Sequence, residues 1–202
     1  MINKLLIGTH SESKKSEYQQ ILKKFNLKII SLTDLKIKRR IRETGKSYEK
    51  NAILKARGYA KISGLLTLSD DGGLEINALN GWPGYRSRRI TGKISTDQEL
   101  IDCTLEKMRN LPRSKRKASL KAILCLAWPN GKYYLSVAKI NGLIANHATR
   151  KRLRGYPFRS IFWIPCFKKY FINLNHREWN IISHRKKAIK KFIPILKKYA
   201  RH

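Results

Sequence analysis

Two kinds of hydrophobic pattern alternate over the first 64 positions. Short apolar runs at residues 4–8 and 27–32 are typical of buried strands. Between them, apolar residues recur at the spacing of one helical face and predict a helix over about 13–25. The same periodicity predicts a second helix over about 47–62, and Gly64 is placed to end it. Strands and helices therefore alternate along this part of the chain.

The second part of the chain predicts a hairpin and further elements. Residues 119–128 and 132–140 predict two strands joined through Asn130-Gly131, a dipeptide that tight hairpin turns favour. An apolar stripe at helical spacing predicts one final helix that begins near Ser183 and continues through Tyr199. A helix over 96–111 and strands at 65–68 and 160–164 are also predicted.

Two adjacent carboxylates follow the apolar run at residues 65–68. The sequence continues Asp70-Asp71-Gly72-Gly73, so the predicted strand is expected to surface here into a tight turn. Paired carboxylates suit Mg²⁺, which uses one or two of them together with substrate phosphates. Asp followed by Gly is also among the strongest short turn signals. Taken alone, these residues favour the plain turn over a metal site.

The start of the first predicted helix is a candidate phosphate-binding site. Thr9-His10-Ser11 supplies residues that cap helices, and free backbone amides at a helix N-terminus attract anions. Lys14 adds a positive charge in the first turn. The later cluster of Arg86, Arg88 and Arg89 is a second candidate, because a guanidinium group can bind two phosphate oxygens at once. The alternative for this cluster is a solvated basic loop.

The charge of the chain is extreme. Its 202 residues include 45 Lys and Arg but only 13 Asp and Glu, a formal net charge of +32. The 42% hydrophobic content predicts a globular protein rather than a disordered one. The charge excess indicates either nucleic-acid binding or only a lineage whose base composition favours Lys and Ile. The basic run at residues 36–42 is predicted to be a solvated loop.

Cysteine usage and hydropathy suggest the compartment. Cys103, Cys125 and Cys166 are odd in number and widely spaced, which indicates neither a disulfide framework nor a zinc site. The apolar run at residues 1–7 is too short for a signal peptide, and no window approaches a membrane span. We therefore expect a soluble cytoplasmic protein without a membrane partner.

Several motifs follow one another at characteristic separations. Thr9, Ser11, Lys14 and Glu17 are spaced as in a motif of Thr, Asn, Lys and Glu, with only the Asn changed. Further motifs are Glu43-Thr44-Gly45, residues 51–57, Asp70-Asp71, Gly73-Leu74, residues 81–84, Ser87, Arg89 and Ser183-His184-Arg185. Together they resemble the nucleoside-triphosphate pyrophosphatases of the Ham1 or inosine triphosphatase type, over nearly the whole chain.

The resemblance implies a fold and an activity. The fold would be α/β of the Ham1/Maf-like kind, an elongated mixed β-sheet flanked by helices. Residues 1–202 would form a single domain with two lobes around a nucleotide cleft, usually assembled as a homodimer. The activity would be Mg²⁺-dependent hydrolysis of ITP, dITP and XTP between the α- and β-phosphates. Its products would be a nucleoside monophosphate and pyrophosphate, so the enzyme would clean the nucleotide pool.

The resemblance also implies residue roles. Asp71 would be the catalytic base, with Asp70 and Lys14 as the other catalytic residues. Asp71, Asp70 and Glu43 would hold the metal. The substrate-binding residues would be Thr9, His10, Ser11, Lys14, Gly72, Arg89, Phe158, Trp179, His184 and Arg185.

The chain departs from the family pattern at positions where the family places chemistry. Lys50 replaces an acid, Gly72 replaces a Ser, Arg159 replaces the acid of the Gly-Phe-Gly-Tyr-Asp-Pro motif, and Trp179 replaces a Lys. An enzyme of changed specificity, a binder of nucleotide or nucleic acid without efficient turnover, and a decaying sequence all fit these departures. The surviving phosphate and metal residues favour the enzyme.

Overall fold

The computed structural model describes residues 3–89 and 95–201, without the side chains of Arg89 and Arg201, and over this part the chain forms eight β-strands and six α-helices. The strands are β1 (Lys4–Ile7), β2 (Lys28–Ser31), β3 (Leu66–Ile76), β4 (Trp82–Pro83), β5 (Lys117–Ala127), β6 (Tyr133–Ile144), β7 (Phe162–Ile164) and β8 (Lys169–Tyr170). The helices are α1 (Glu12–Leu22), α2 (Tyr48–Ser63), α3 (Asp97–Met108), α4 (His176–Ile182), α5 (His184–Lys190) and α6 (Ile193–Arg201).

The strands form one mixed sheet, which confirms the predicted fold class. Their order is β2-β1-β3-β5-β6-β7-β8, and β4 pairs with β3 beside this path. β1 is parallel to both β2 and β3, with Leu5 opposite Ile29 on one side and Leu66 on the other. β4 runs antiparallel to β3, and β7 runs antiparallel to both β6 and β8.

The turn predicted at the aspartate pair is wrong. β3 runs without interruption from Leu66 to Ile76 and passes through both aspartates and both glycines. Leu74 and Ile76 are fully buried, so the core holds the chain extended beyond a dipeptide that would otherwise favour a turn. The chain turns later, at Asn80 and Gly81, which have positive φ angles of 50° and 81°.

The first two helices confirm their predictions, although α1 ends at Leu22 rather than near Phe25. Ser11 caps α1, and Ser47 caps α2 by accepting a hydrogen bond from the Lys50 amide at 3.2 Å. Gly64 ends α2 in the left-handed conformation, with φ 67°, and donates to the Ala60 carbonyl.

The prediction of one continuous final helix is wrong. The chain forms α5 and α6, which are separated by a turn at Lys191 and Phe192. Pro194, in the first turn of α6, has no amide to continue α5, which accounts for the break. The sequence does not predict α4; Asn175 caps it, and the Glu178 carboxylate accepts a hydrogen bond from the Asn175 amide.

The chain divides into two compact units. Unit 1 comprises Met1–Asp71, Ala122–Ala138 and Arg185–His202. In its core, the buried residues of β1 and β2 pack with Tyr59, and the alanines of α2 pack on β5. It also contains the tip of the hairpin predicted at Asn130-Gly131, where the Trp128 amide donates to the Lys132 carbonyl at 2.9 Å. That hairpin is confirmed.

Unit 2 comprises Gly72–Lys121 and Lys139–His184. Its core is formed by α3, by the distal parts of β3, β5 and β6, and by β7. Arg116 is buried in this unit and donates to four backbone carbonyls, among them those of Met108 and Ile144. None of the helices formed by the described residues is both long and apolar enough to span a membrane.

Candidate active site

The candidate site lies at the carboxyl end of β1, where the chain leaves the sheet to enter α1. The Gly8 amide donates to the Leu68 carbonyl of β3 at 2.8 Å. A Cβ atom at position 8 would lie 2.4 Å from Ser69 Oγ, so glycine allows this close approach. Asp70 and Asp71 follow directly on β3, at an edge where open α/β sheets commonly bind ligands.

The residues predicted to bind phosphate cluster at the start of α1. Ser11 Oγ accepts a hydrogen bond from the Lys14 amide, and Thr9 Oγ1 accepts one from the Ser11 amide at 3.1 Å. The His10 ring lies edge-on to Tyr59, with 6.0 Å between ring centroids. The structure thus brings the four predicted residues together, and their role in substrate binding stays a prediction.

Asp70 is buried between two cations. Lys14 Nζ lies 2.9 Å from Asp70 Oδ1, and Arg185 Nε lies 3.2 Å from Oδ2. Burial alone would raise the pKa of Asp70, but Lys14, Arg185 and Lys55 outweigh it and lower the pKa. Arg185 also lies 3.5 Å from Glu17 Oε2. Asp70 is therefore an ionised carboxylate that neutralises a buried cationic pair.

Asp71 lies in a different electrostatic environment. Its Oδ1 is 3.6 Å from Lys55 Nζ, which is also 2.8 Å from Glu43 Oε1. Burial raises the pKa of Asp71 against the opposing charge of Lys55. Burial would lower the pKa of Lys55, but Asp71 and Glu43 outweigh it and raise the pKa. The two neighbouring aspartates thus have pKa values displaced in opposite directions.

A buried amide fixes the segment that carries Glu43. Asn51 Oδ1, on α2, accepts a hydrogen bond from the Gly45 amide at 2.8 Å. Asn51 is only 2% exposed, whereas the neighbouring Lys50 is exposed on the first turn of α2. The side chain that replaces the family's acid therefore points toward solvent, and the buried amide holds the Glu43 segment against the helix.

The carboxylates offer a partial metal site. Within residues 3–89 and 95–201, no group of three or more His, Cys, Asp or Glu side chains is placed to hold an ion. Asp71 and Glu43 converge on a single ammonium group, so two hard oxygen donors face one position. Mg²⁺ commonly takes one or two carboxylates and completes its ligands with substrate phosphates and water. This pair fits such an ion, whereas Asp70 is already engaged by Lys14 and Arg185.

In unit 2, the predicted substrate-binding residue His184 lies in a group with Arg159 and two aromatic rings. The Arg159 guanidinium lies over the Tyr156 ring at 3.7 Å and over the Phe171 ring at 4.9 Å. The His184 ring contacts Phe171 edge-on, with 6.2 Å between centroids. The cation that replaces the family's acid is therefore stabilised between two aromatic rings.

The other predicted substrate-binding residues of unit 2 are Gly72, Arg89, Phe158 and Trp179. Phe158 is 8% exposed in the hydrophobic core, and Trp179 packs against the same core. This burial leaves little of the Phe158 ring for a nucleotide base. Gly72 lies within β3, and the side chain of Arg89 falls outside the described residues. Their roles stay predictions.

Sequence reasoning missed three contributors. Lys55 and Glu17 both stand in quoted motifs, but their ion pairs with Asp71 and Arg185 join residues far apart in sequence. In the sequence, Arg159 stands only as the replacement of an acid, and its two ring contacts cannot be inferred from spacing. The signal that could have found Lys55 is its single-turn spacing from Asn51 on one helix.

Comparison with known proteins gives one consistent result. The sequence pattern of the Ham1 family matches residues 5–195. A dITP/XTP pyrophosphatase of Bacillus cereus is 33% identical over 94% of this chain and 93% of its own length. One from Elusimicrobium minutum is 37% identical over 93% of this chain and 96% of its own. The solved structure of a HAM1 protein from Coxiella burnetii is 34% identical, covers 98% of this chain and all of its own, and superimposes with a TM-score of 0.84.

Proposed function

We propose, because the chain belongs to the Ham1 family, that it hydrolyses non-canonical purine nucleoside triphosphates to the monophosphate and pyrophosphate. The substrates would be ITP, dITP and XTP. The observation that carries this proposal is the cluster of Lys14, Asp70, Asp71, Lys55 and Glu43 beside the start of α1. It combines anion-binding amides, buried ammonium groups and a carboxylate of raised pKa, which are the groups that hydrolysis of a phosphoanhydride uses.

The first role is binding of the triphosphate. The N-terminus of α1 offers backbone amides and the positive end of the helix dipole. Lys14 lies in its first turn, and its side chain remains 20% exposed although its ammonium is paired with Asp70. We assign phosphate binding to Thr9, His10, Ser11 and Lys14, which lie within six residues of one another on this segment. Arg89 is proposed as a further phosphate ligand from the motif alone.

The second role is proton transfer, and it distinguishes the two aspartates. Asp70 is the counter-ion of Lys14 and Arg185, and its lowered pKa keeps it ionised at neutral pH. Asp71, with a raised pKa, is suited to accept the proton of the attacking water as it adds to phosphorus. Opposite displacement of two neighbouring pKa values is a common way to divide such roles.

The third role is metal binding. Asp71 and Glu43 would hold Mg²⁺ together with oxygens of the bound triphosphate. When bound, the ion supplies neutralisation of phosphate charge. Lys55 lies between the two carboxylates and keeps them close without a metal, because its ammonium contacts both.

A second candidate is a nucleotide-binding protein without efficient turnover. Arg159 favours it, because a cation held between Tyr156 and Phe171 stands where the family has an acid.

For recognition of the purine base we propose His184, since its ring lies against Phe171 in the same group. The family motifs also propose Phe158, Trp179 and Arg185 for substrate binding; the first two pack in or on a core, and Arg185 bonds to Asp70.

A substrate panel tests the proposal. The purified protein is incubated with ITP, dITP, XTP, ATP and GTP, with Mg²⁺ or with a chelator, and monophosphate, pyrophosphate and orthophosphate are quantified. We expect equal amounts of monophosphate and pyrophosphate, preference for the three non-canonical substrates, and loss of activity in chelator. Release of orthophosphate alone would contradict the proposal. Thermal stabilisation by ITP without any hydrolysis would support the second candidate.

Two further proposals concern the cellular setting. We propose that the protein works in the cytoplasm, because Cys103, Cys125 and Cys166 are all free thiols, as expected in a reducing compartment. Burial raises the pKa of the Cys125 thiol to about 12, so this cysteine is unreactive at neutral pH. We also propose a homodimer from the family resemblance, and light scattering during gel filtration measures the mass directly.

A further inference from the structure

The proposed enzymatic function does not use the basic segment that leads into the candidate site. We call residues 36–42 the basic loop. Its five cationic residues are all exposed, and they are Lys36, Lys38, Arg39, Arg40 and Arg42. No acid occurs within the loop. The basic loop therefore carries five positive charges in seven residues.

The backbone of the basic loop is fixed rather than free. The Ile37 amide donates to the Leu32 carbonyl at 2.8 Å, and the Arg39 carbonyl lies 3.2 Å from His10 Nε2. The Ile41 side chain packs so closely on Gly58 of α2 that a Cβ there would lie 2.8 Å from it. The five cations are therefore presented from a defined position on unit 1.

Within the part of the chain that the structure describes, these charges have no internal partner. Among the described residues, none of the five side chains forms an ion pair or a hydrogen bond. The acids nearest in sequence are engaged elsewhere, since Asp34 Oδ2 accepts the Ser31 amide at 2.8 Å and Glu43 pairs with Lys55. A bound polyanion would gain from this charge without first breaking an existing pair.

Exposed aromatic rings lie at the tip of the β5–β6 hairpin in the same unit. Tyr133 and Tyr134 are each 41% exposed. The Arg57 guanidinium lies 6.0 Å from the Tyr133 ring centroid, and Lys132 Nζ lies 5.5 Å from that of Tyr134. Trp128 contacts Tyr134 edge-on at 5.8 Å. The hairpin tip thus presents ring faces together with cations.

α2 connects the basic loop to the hairpin tip. The loop packs on Gly58, and the preceding residue, Arg57, lies over Tyr133. Arg57 is itself exposed. Two successive residues of α2 therefore contact the basic loop and the hairpin tip, and both surfaces belong to unit 1.

We propose that the basic loop, Arg57 and the hairpin tip form a binding surface for single-stranded nucleic acid. The cations contact the phosphates, and the tyrosine rings stack with unpaired bases, the combination that sequence-tolerant single-strand binders use. A second copy of this chain is disfavoured as the occupant, because the symmetric contact would bring the same cations face to face. The proposal does not rest on the proposed enzymatic function.

Salt dependence tests the contribution of the loop. Binding of a labelled mixed-sequence 20-nucleotide DNA strand is measured by fluorescence anisotropy between 50 and 200 mM salt, for which we expect micromolar affinity. The variant K38S/R39S/R40S is compared with K190S/K197S/K198S, which removes three exposed charges from α5 and α6. Each lost contact to a single strand makes the negative slope of log K against log salt shallower by about 0.7. We therefore expect the slope to become shallower by about 2 in the loop variant only. Equal slopes in the two variants would overturn the proposal.

Substitution of one ring tests the stacking contribution independently. Y133A is compared with Y85A, which removes another exposed tyrosine that lies under an arginine, Arg86, in unit 2. We expect Y133A to weaken binding about fivefold or more with an unchanged salt slope, and Y85A to bind as wild type. Unchanged affinity of Y133A would contradict the stacking role. A change in molecular mass caused by Y133A would instead identify a second copy as the occupant and overturn the proposal.

Discussion

The buried cluster around Asp70 and the basic loop hold cations in opposite ways, although both belong to unit 1. In the cluster, Lys14, Lys55 and Arg185 each lie against at least one carboxylate. In the loop, five exposed cations lack an ion pair within the described residues. The difference follows from solvation, because a buried charge needs a partner whereas an exposed charge is stabilised by water.

The comparison separates charges that maintain the fold from charges that are available to a partner. Asp70 has a side chain that is fully buried, so its two cations depend on it. The loop cations cost little to maintain and gain little from neighbouring residues. Substitutions in the two regions should therefore have very different effects on stability, and those effects can be ordered.

The largest expected effect is that of D70N. The substitution leaves Lys14 and Arg185 without their shared carboxylate, and removing one partner of a buried ion pair typically costs about 3–5 kcal/mol. Urea unfolding of D70N and wild type at pH 7 measures the loss. The exposed carboxylate of Asp102, on α3, provides the control D102N, which should lose less than about 0.5 kcal/mol. A D70N protein as stable as wild type would show that the Asp70 carboxylate does not stabilise Lys14 and Arg185.

The difference in unfolding free energy between wild type and D70N should depend on pH. The folded-state pKa of Asp70 is lowered, so its stabilisation is fully present above the unfolded pKa of about 3.9. It is lost as the pH falls from that value through the folded pKa. The gap in unfolding free energy between wild type and D70N should therefore be constant from pH 7 to about 5 and narrow in more acidic solution. A gap that widens on acidification would contradict the assigned direction.

A smaller effect is expected for E17Q. The substitution removes the second carboxylate of Arg185, which keeps its contact with Asp70. Loss of a buried hydrogen-bonding partner of a charged group costs about 1–3 kcal/mol, and chemical unfolding measures it. Non-additivity in the double variant E17Q/D70N would show that the three residues act as one network, whereas simple addition would show that they do not.

The smallest effect on stability is expected for K38S/R39S/R40S. These side chains make no ion pair within the described part of the chain, so the variant should remain within about 0.5 kcal/mol of wild type. Thermal and urea unfolding both check this. A loss comparable to that of D70N would remove the distinction between the two regions.

Local sequence patterns predicted most of the fold of unit 1. β1, α1 and α2 follow directly from apolar spacing and from the caps at Ser11 and Ser47. The turn at Asp71-Gly72 failed because the burial of Leu74 and Ile76 outweighs a two-residue preference. Core packing is a property of the whole fold, which a dipeptide does not report.

The candidate site was predictable in some of its members but not in its pairing. The resemblance named Lys14, Asp70 and Arg185, and the membership of the chain in the Ham1 family is confirmed. Arg185 and Asp70 are separated by 115 positions, so no local spacing indicates that they bond to each other. The division of the two aspartates into a counter-ion and a carboxylate of raised pKa depends on such contacts.

The most direct measurement is pyrophosphate release from ITP by D71N, compared with wild type and with D102N. Asp71 is the proposed proton acceptor, and loss of a positioned general base typically lowers turnover by about 10²- to 10⁴-fold. We expect this loss in D71N, wild-type turnover in D102N, and retained thermal stabilisation of D71N by ITP. Wild-type turnover by a correctly folded D71N protein would contradict the assignment of the chemistry to this carboxylate.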